Sequence, residues 1–122
     1  MYTSSKKRDY KFEIEFYEDV FRRNRNDTVI LEALANLYTQ VGRVDEGLKL
    51  DRKHVRLEPD NPTAYYNLAC SLALKKRRTA SIEALKTAIT LGFTDLDWMQ
   101  KDPDLKSLHG HPQFAELLRE TI

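Results

Sequence analysis

The chain has 122 residues, enough for one domain with a core and too few for two ordinary ones. Twenty basic side chains stand against nineteen acidic ones, so no global field draws the chain to nucleic acid or to an anionic membrane. The single cysteine, Cys70, leaves no internal disulfide, and no run approaches the roughly 18 apolar residues that span a bilayer; a cytoplasmic location is the expectation.

The opening residues 1–8, MYTSSKKR, are charged and lack the apolar run of a signal peptide; they read as a flexible N-terminus. Residues 9–27 follow as a lone helix. Tyr10, Phe12, Ile14, Phe16, Tyr17, Val20 and Phe21 give it more apolar surface than one neighbouring helix covers. Tyr10, Phe12 and Phe16 are therefore candidates for an association surface, through which a homodimer could form or a foreign partner dock. Four further helical segments are predicted, at 28–41, 44–57, 62–75 and 79–90. Gly42 stands where a left-handed cap ends the first of them. Asn61 and Pro62 suit the cap and first turn of the third. Residues 93–122 are predicted as short capping helices. Asp102 caps one, with Pro103 in its first turn, and Pro112 opens the last. No segment alternates with a period of two, so the fold class is all-α.

The chain repeats with a period of 34. Leu34 recurs as Leu68, Ala35 as Ala69, Tyr38 as Leu72 and Leu48 as Ile82, with no gap. Small residues keep the phase as well: Gly47 recurs as Ser81. Two antiparallel helices approach closely only where one lacks bulk, a place that Ala35, Gly47, Ala69, Ser81 and Ala88 fit.

At these residues the chain resembles the tetratricopeptide repeat (TPR) family, in LEALANLY…G…DEG…LEPDNP and again in YYNLACSL…S…L…A. The resemblance covers two full repeats, 28–61 and 62–92, preceded by a half repeat. The tail, W…DPDL…L…P.F..LL, resembles the C-terminal cap of bacterial TPR proteins. The implied fold is a right-handed solenoid of helix–turn–helix units. The implied function is non-enzymatic: a peptide or helix of an unidentified partner protein, held in a concave groove lined by the first helix of each unit. The groove places are Val29, Glu32, Ala33, Asn36 and Gln40 in one repeat, and Thr63, Tyr66, Asn67, Cys70 and Leu74 in the next. Asn36 and Asn67 match the asparagines of a subclass that clamps acidic C-termini. Glu32 stands where that subclass has a lysine, which removes the charge-assisted bond such a clamp needs.

Four features invite a chemical reading, and each has a plainer one. Asp51 and His54, three apart on one helix face, occupy core places and read as a satisfied polar pair or as a face left partly wet at a repeat junction. A hydrolase would need a nucleophile that no motif supplies. KKRR at 75–78 falls in a hairpin turn and lacks the interleaved aromatics of a nucleic-acid site. Cys70 lies in an apolar helix and reads as structural. DWMQKDPDLKSLHGHP, 97–112, has the residue types of a metal site. Its histidines nevertheless flank a glycine at a break, and its aspartates start helices. Trp98 is expected as a plug over the last hairpin. No cofactor and no metal are called for.

Overall fold

The computed structural model describes residues 8–121, so the predicted flexible segment lies outside the described residues except for Arg8. The helices are α1 (Tyr10–Arg23), α2 (Thr28–Gln40), α3 (Val44–Leu57), α4 (Pro62–Leu74), α5 (Arg78–Thr90), α6 (Leu96–Lys101) and α7 (Pro112–Thr121). A 3₁₀ segment, Pro103–Leu108, joins the last two, and no strand occurs among the described residues. The starts keep step: first helices open at 28, 62 and 96, second helices at 10, 44, 78 and 112. Each interval is 34. The capping segment is therefore a third hairpin in phase, with its first helix broken at Pro103. The sequence hides that phase, because Asp102 and Pro103 replace the leucine and alanine that mark the earlier units.

Side-chain oxygens start the first helices. Asp27 accepts from the backbone N–H groups of Val29 and Ile30, and Asn61 from those of Thr63 and Ala64. Asp95 accepts from Trp98. Such caps each contribute about 1 kcal/mol. The second helices α3 and α5 have no side-chain cap and instead follow tight reversals. The reversing residue has a positive φ in each hairpin: Gly42 at 87°, Lys76 at 59° and Gly110 at 86°, again 34 apart. After it, the N–H of Arg43 donates to the carbonyl of Tyr38, and Arg77 to Leu72, closing the helix end in the Schellman manner. Glycine adopts this conformation freely, whereas Lys76 carries a cost of about 1 kcal/mol.

Within each hairpin the helices meet at small residues. A Cβ placed on Gly47 would lie 2.7 Å from Thr39 Oγ1 and 3.2 Å from the Ala35 carbonyl. In the next unit Ser81, fully buried, donates its hydroxyl to the Ala69 carbonyl at 2.7 Å. Leu48, Leu68, Leu72, Ile82, Leu85 and Ala88 join Met99, Leu105, Leu108, Phe114 and Leu117 of the cap in one apolar core. A second cluster docks α1: Ile14 is buried against Leu34, Leu37 and Tyr38, with Tyr10, Tyr17 and Phe21 packed partly over it.

Asp51 and His54 are both buried, but they do not pair with each other as expected. Ser71 on α4 donates its hydroxyl to the Asp51 carboxylate. His54 Nε2 lies 2.9 Å from Glu58 Oε1, and its Nδ1 has no hydrogen-bond partner among the described residues. Three apart on a helix, the two side chains share a face yet engage different partners, Ser71 on α4 and Glu58 at the end of α3. Burial raises the Asp51 pKa to about 6. The native state thus holds this proton more tightly than the unfolded chain, and its contribution to stability falls as pH rises from about 4 through 6. Glu58 also receives the Thr28 hydroxyl and the Asn61 amide, and these bonds hold its carboxyl down to about 2. One carboxylate thereby joins the start of α2, the end of α3 and the cap of α4.

Gly47→Val is expected to lower unfolding free energy by about 2 kcal/mol, because its Cβ would overlap Thr39 Oγ1 at 2.7 Å while the Ala35 carbonyl, in tight contact at 3.2 Å, limits how far the helices can adjust. Urea denaturation with an unchanged m-value would report it; a variant as stable as the parent would refute the close approach.

Candidate partner-binding groove

The first helices α2 and α4 and the broken third one line a small cleft of about 180 Å³. Asn36, Thr39, Tyr66, Asn67, Cys70 and Ser71 come from α2 and α4. Trp98, Asp102 and Asp104 come from the cap, and Asp51 reaches in from α3. The sequence-predicted groove residues divide into two sets. Asn36, Gln40, Thr63 and Val29 are exposed, Leu74 is 37% exposed, and Glu32, Ala33 and Asn67 are half-buried. Asn67 donates its amide to Glu32 at 3.2 Å, tying α4 to α2 across the groove wall. Tyr66 and Cys70, by contrast, are buried at 6% and 7% exposure and form its floor.

A carboxylate organises that floor. Asp102 falls 34 residues after Leu68, so it sits at a core position and is buried. A buried carboxylate requires donors. Tyr66 supplies its hydroxyl at 2.6 Å, Cys70 its thiol at 3.7 Å, and the Asp104 backbone N–H donates to the other oxygen at 2.9 Å. Phe93 stacks on the Tyr66 ring at 4.3 Å between centroids. Burial, then the bond to Asp102, pushes the Tyr66 phenol well above its usual range, so it stays a donor. Burial and the neighbouring carboxylates push the Cys70 thiol up as well, which keeps it protonated and a poor nucleophile. Cys70, Asp102 and Asp104 have potential ligand atoms within 4.8 Å of one another. Both Asp102 oxygens are already hydrogen-bonded, so the trio is a closed polar knot rather than an open ligand set.

Trp98 departs from expectation. It is 47% exposed, whereas its neighbour Met99 is fully buried and does the plugging. The phase explains the exchange: Met99 lies 34 residues after Tyr65 and 68 after the buried Leu31. Trp98 is left at the mouth of the cleft, a residue that the sequence pattern assigns to packing. The histidines of the tail separate too. His111 Nδ1 accepts from the Gln113 backbone N–H at the start of α7, and His109 stacks near Phe114. In KKRR, Lys75 pairs with Asp45 at 2.8 Å and Arg78 donates to the Ser107 carbonyl.

No protein-family model matches the chain. The crystal structure of MamA superposes with a TM-score of 0.75 at 25% identity, over 93% of this chain and 67% of that one. A second MamA structure gives 0.74 at 25% identity, over 93% and 63%. The fold is a TPR-type right-handed helical solenoid. A chloroplastic protein of Arabidopsis thaliana is 27% identical over 86 residues, which are 68% of this chain and 26% of that protein. The chain thus spans about a quarter of the length of this plant relative. No helix among the described residues is long and apolar enough to cross a membrane.

Tyr66→Phe strips a donor from a buried carboxylate and should lower stability by about 1–3 kcal/mol. Trp98→Ala, at a half-exposed position, should cost well under that. Chemical denaturation of both variants checks the pair of values; the reverse ranking would restore Trp98 as the plug.

Proposed function

We propose that the chain is a non-enzymatic protein-interaction module that holds a segment of a partner protein in the groove lined by α2, α4 and the cap. The exposed Trp98 carries this reading. A large aromatic half open to water, beside Asn36 and Asn67 and above a hydrogen-bonded floor, costs hydrophobic free energy that a bound chain would recover. Asn36, Gln40, Thr63 and Leu74 would form the contact rim, with Glu32 and Asn67 as its braced wall. Tyr66 and Cys70 act beneath it as positioning residues. The units taken for this reading are 9–27, 28–61, 62–92 and 93–122.

Charge narrows the partner. Asp51, Asp102 and Asp104 line the cleft and none joins an ion pair among the described residues. Such a surface disfavours the acidic tails held by clamp-type relatives and favours a segment that presents donors or a cation. The non-enzymatic reading is supported by the engagement of Asp51 and His54 with other residues and by the protonated state of Cys70. A cytoplasmic setting belongs to the same proposal; the name of the Arabidopsis thaliana relative assigns that protein to the chloroplast.

A second reading has its own observation. Phe12 is 65% and Phe16 54% exposed on α1, while Tyr10 is partly packed. Self-association through this face is the alternative. Affinity capture from the source cell separates the two. The double variant Asn36→Ala/Trp98→Ala should retain less than about a tenth of the captured partner, and Phe12→Glu should retain it all. The opposite pattern, with Phe12→Glu converting a dimer to monomer in light scattering, would replace groove binding by the α1 reading.

A further inference from the structure

A larger cleft, of about 520 Å³, lies between the second helices α1 and α3, away from the residues of the groove. Its floor is apolar: Phe21, Leu34, Leu50 and the ring of Tyr38 line it. Its rim is basic, with Arg22, Arg25, Lys49, Lys53 and Arg56. Of these, Arg22 pairs with Asp19, while Arg25, Lys49, Lys53 and Arg56 have no ion-pair partner among the described residues. The two acids on the rim, Glu18 and Glu46, both face Arg43, at 3.7 and 2.6 Å. Glu18 also accepts the Tyr38 hydroxyl. The cleft therefore has a surplus of positive charge over an apolar floor, within a chain whose total charge is only +1. Lys53 lies 5.4 Å from the centroid of the Phe21 ring, which joins the charged rim to the aromatic floor.

We infer that this cleft is a second docking surface, for an acidic amphipathic protein segment. The spacing of the cations favours an extended partner over a small anion. Lys49, Lys53 and Arg56 follow at intervals of four and three, so they form one stripe about 10 Å long on α3. A phosphate site gathers its donors around one point; a stripe beside an apolar trough fits a helix with leucines on one face and carboxylates on its flanks. Charge complementarity thus names the occupant, and it differs from the donor-rich segment proposed for the groove.

A fluorescein-labelled synthetic peptide of about 16 residues, with leucines at helical spacing and glutamates elsewhere, is the probe. Anisotropy titration should show binding that weakens as salt is raised from about 50 to about 200 mM. The exchange Lys49→Glu/Lys53→Glu should weaken it at least about tenfold, and Lys49→Gln/Arg56→Gln by several fold, with helical circular dichroism unchanged. Asn36→Ala/Trp98→Ala should leave it within about twofold of the parent. The assignment is overturned by equal binding to either cleft variant, by equal binding of a peptide with lysines in place of glutamates, or by no binding at about 1 mM. It is overturned also if phosphatidylserine vesicles or a duplex DNA bind more tightly with the same dependence on Lys49 and Lys53.

Discussion

A backbone reversal at one phase of the repeat governs this structure. At 42, 76 and 110 the chain turns through a residue of positive φ, and each turn brings a second helix back along the first. Because the interval is constant, every later contact inherits the same geometry. Gly47 meets Ala35 and Thr39, Ser81 meets Ala69, and the cap meets α4 through Ser107, which donates to the Ala73 carbonyl. Glycine meets the demand without strain at two of the turns. Lys76 meets it at some cost, accepted where the hairpin behind it is the most deeply packed of the chain.

The groove follows from what the third unit changes. Its first helix stops at Asp102 and restarts as a 3₁₀ turn, because aspartate caps a helix start and proline cannot continue the one before. That break puts a carboxylate where two earlier units have leucine, and Tyr66 and Cys70 on α4 answer it with donors. The residues best placed for a ligand by position alone are thus consumed in building the floor. In the proposed groove, contact with a partner would fall to the rim, where Trp98 is the largest exposed apolar side chain. Charge is partitioned in the same way. Carboxylates gather at the cleft of the first helices, and cations gather between α1 and α3, four of them without an ion-pair partner among the described residues, although the totals nearly cancel.

Much of the fold is legible in the chain because it rests on periodicity, which sequence displays directly. Helix bounds at 44–57 agree to the residue, and Gly47, Ala69 and Ser81 mark the close approaches. The exposure of Phe12 and Phe16 is legible for the same reason, since one neighbouring helix cannot cover two faces. The third unit is less legible. Its phase survives only in helix starts and in Gly110, while its core positions hold Asp102 and Pro103 in place of apolar residues. A shift of one residue in register there is enough to exchange Trp98 for Met99. Pairings such as Tyr66 with Asp102, or Glu58 with Thr28, join residues thirty or more positions apart through their side chains, and no local pattern announces them.

Trp98 is the only tryptophan of the chain, so its emission reports the groove without a label. The most direct measurement is a titration of the protein with a tryptophan-free peptide selected from a display library, followed in parallel by calorimetry and by fluorescence. Groove binding requires a blue shift of Trp98 emission that saturates along the calorimetric isotherm. A clear calorimetric isotherm with unchanged emission would put the partner elsewhere on the solenoid and contradict the groove as the binding face.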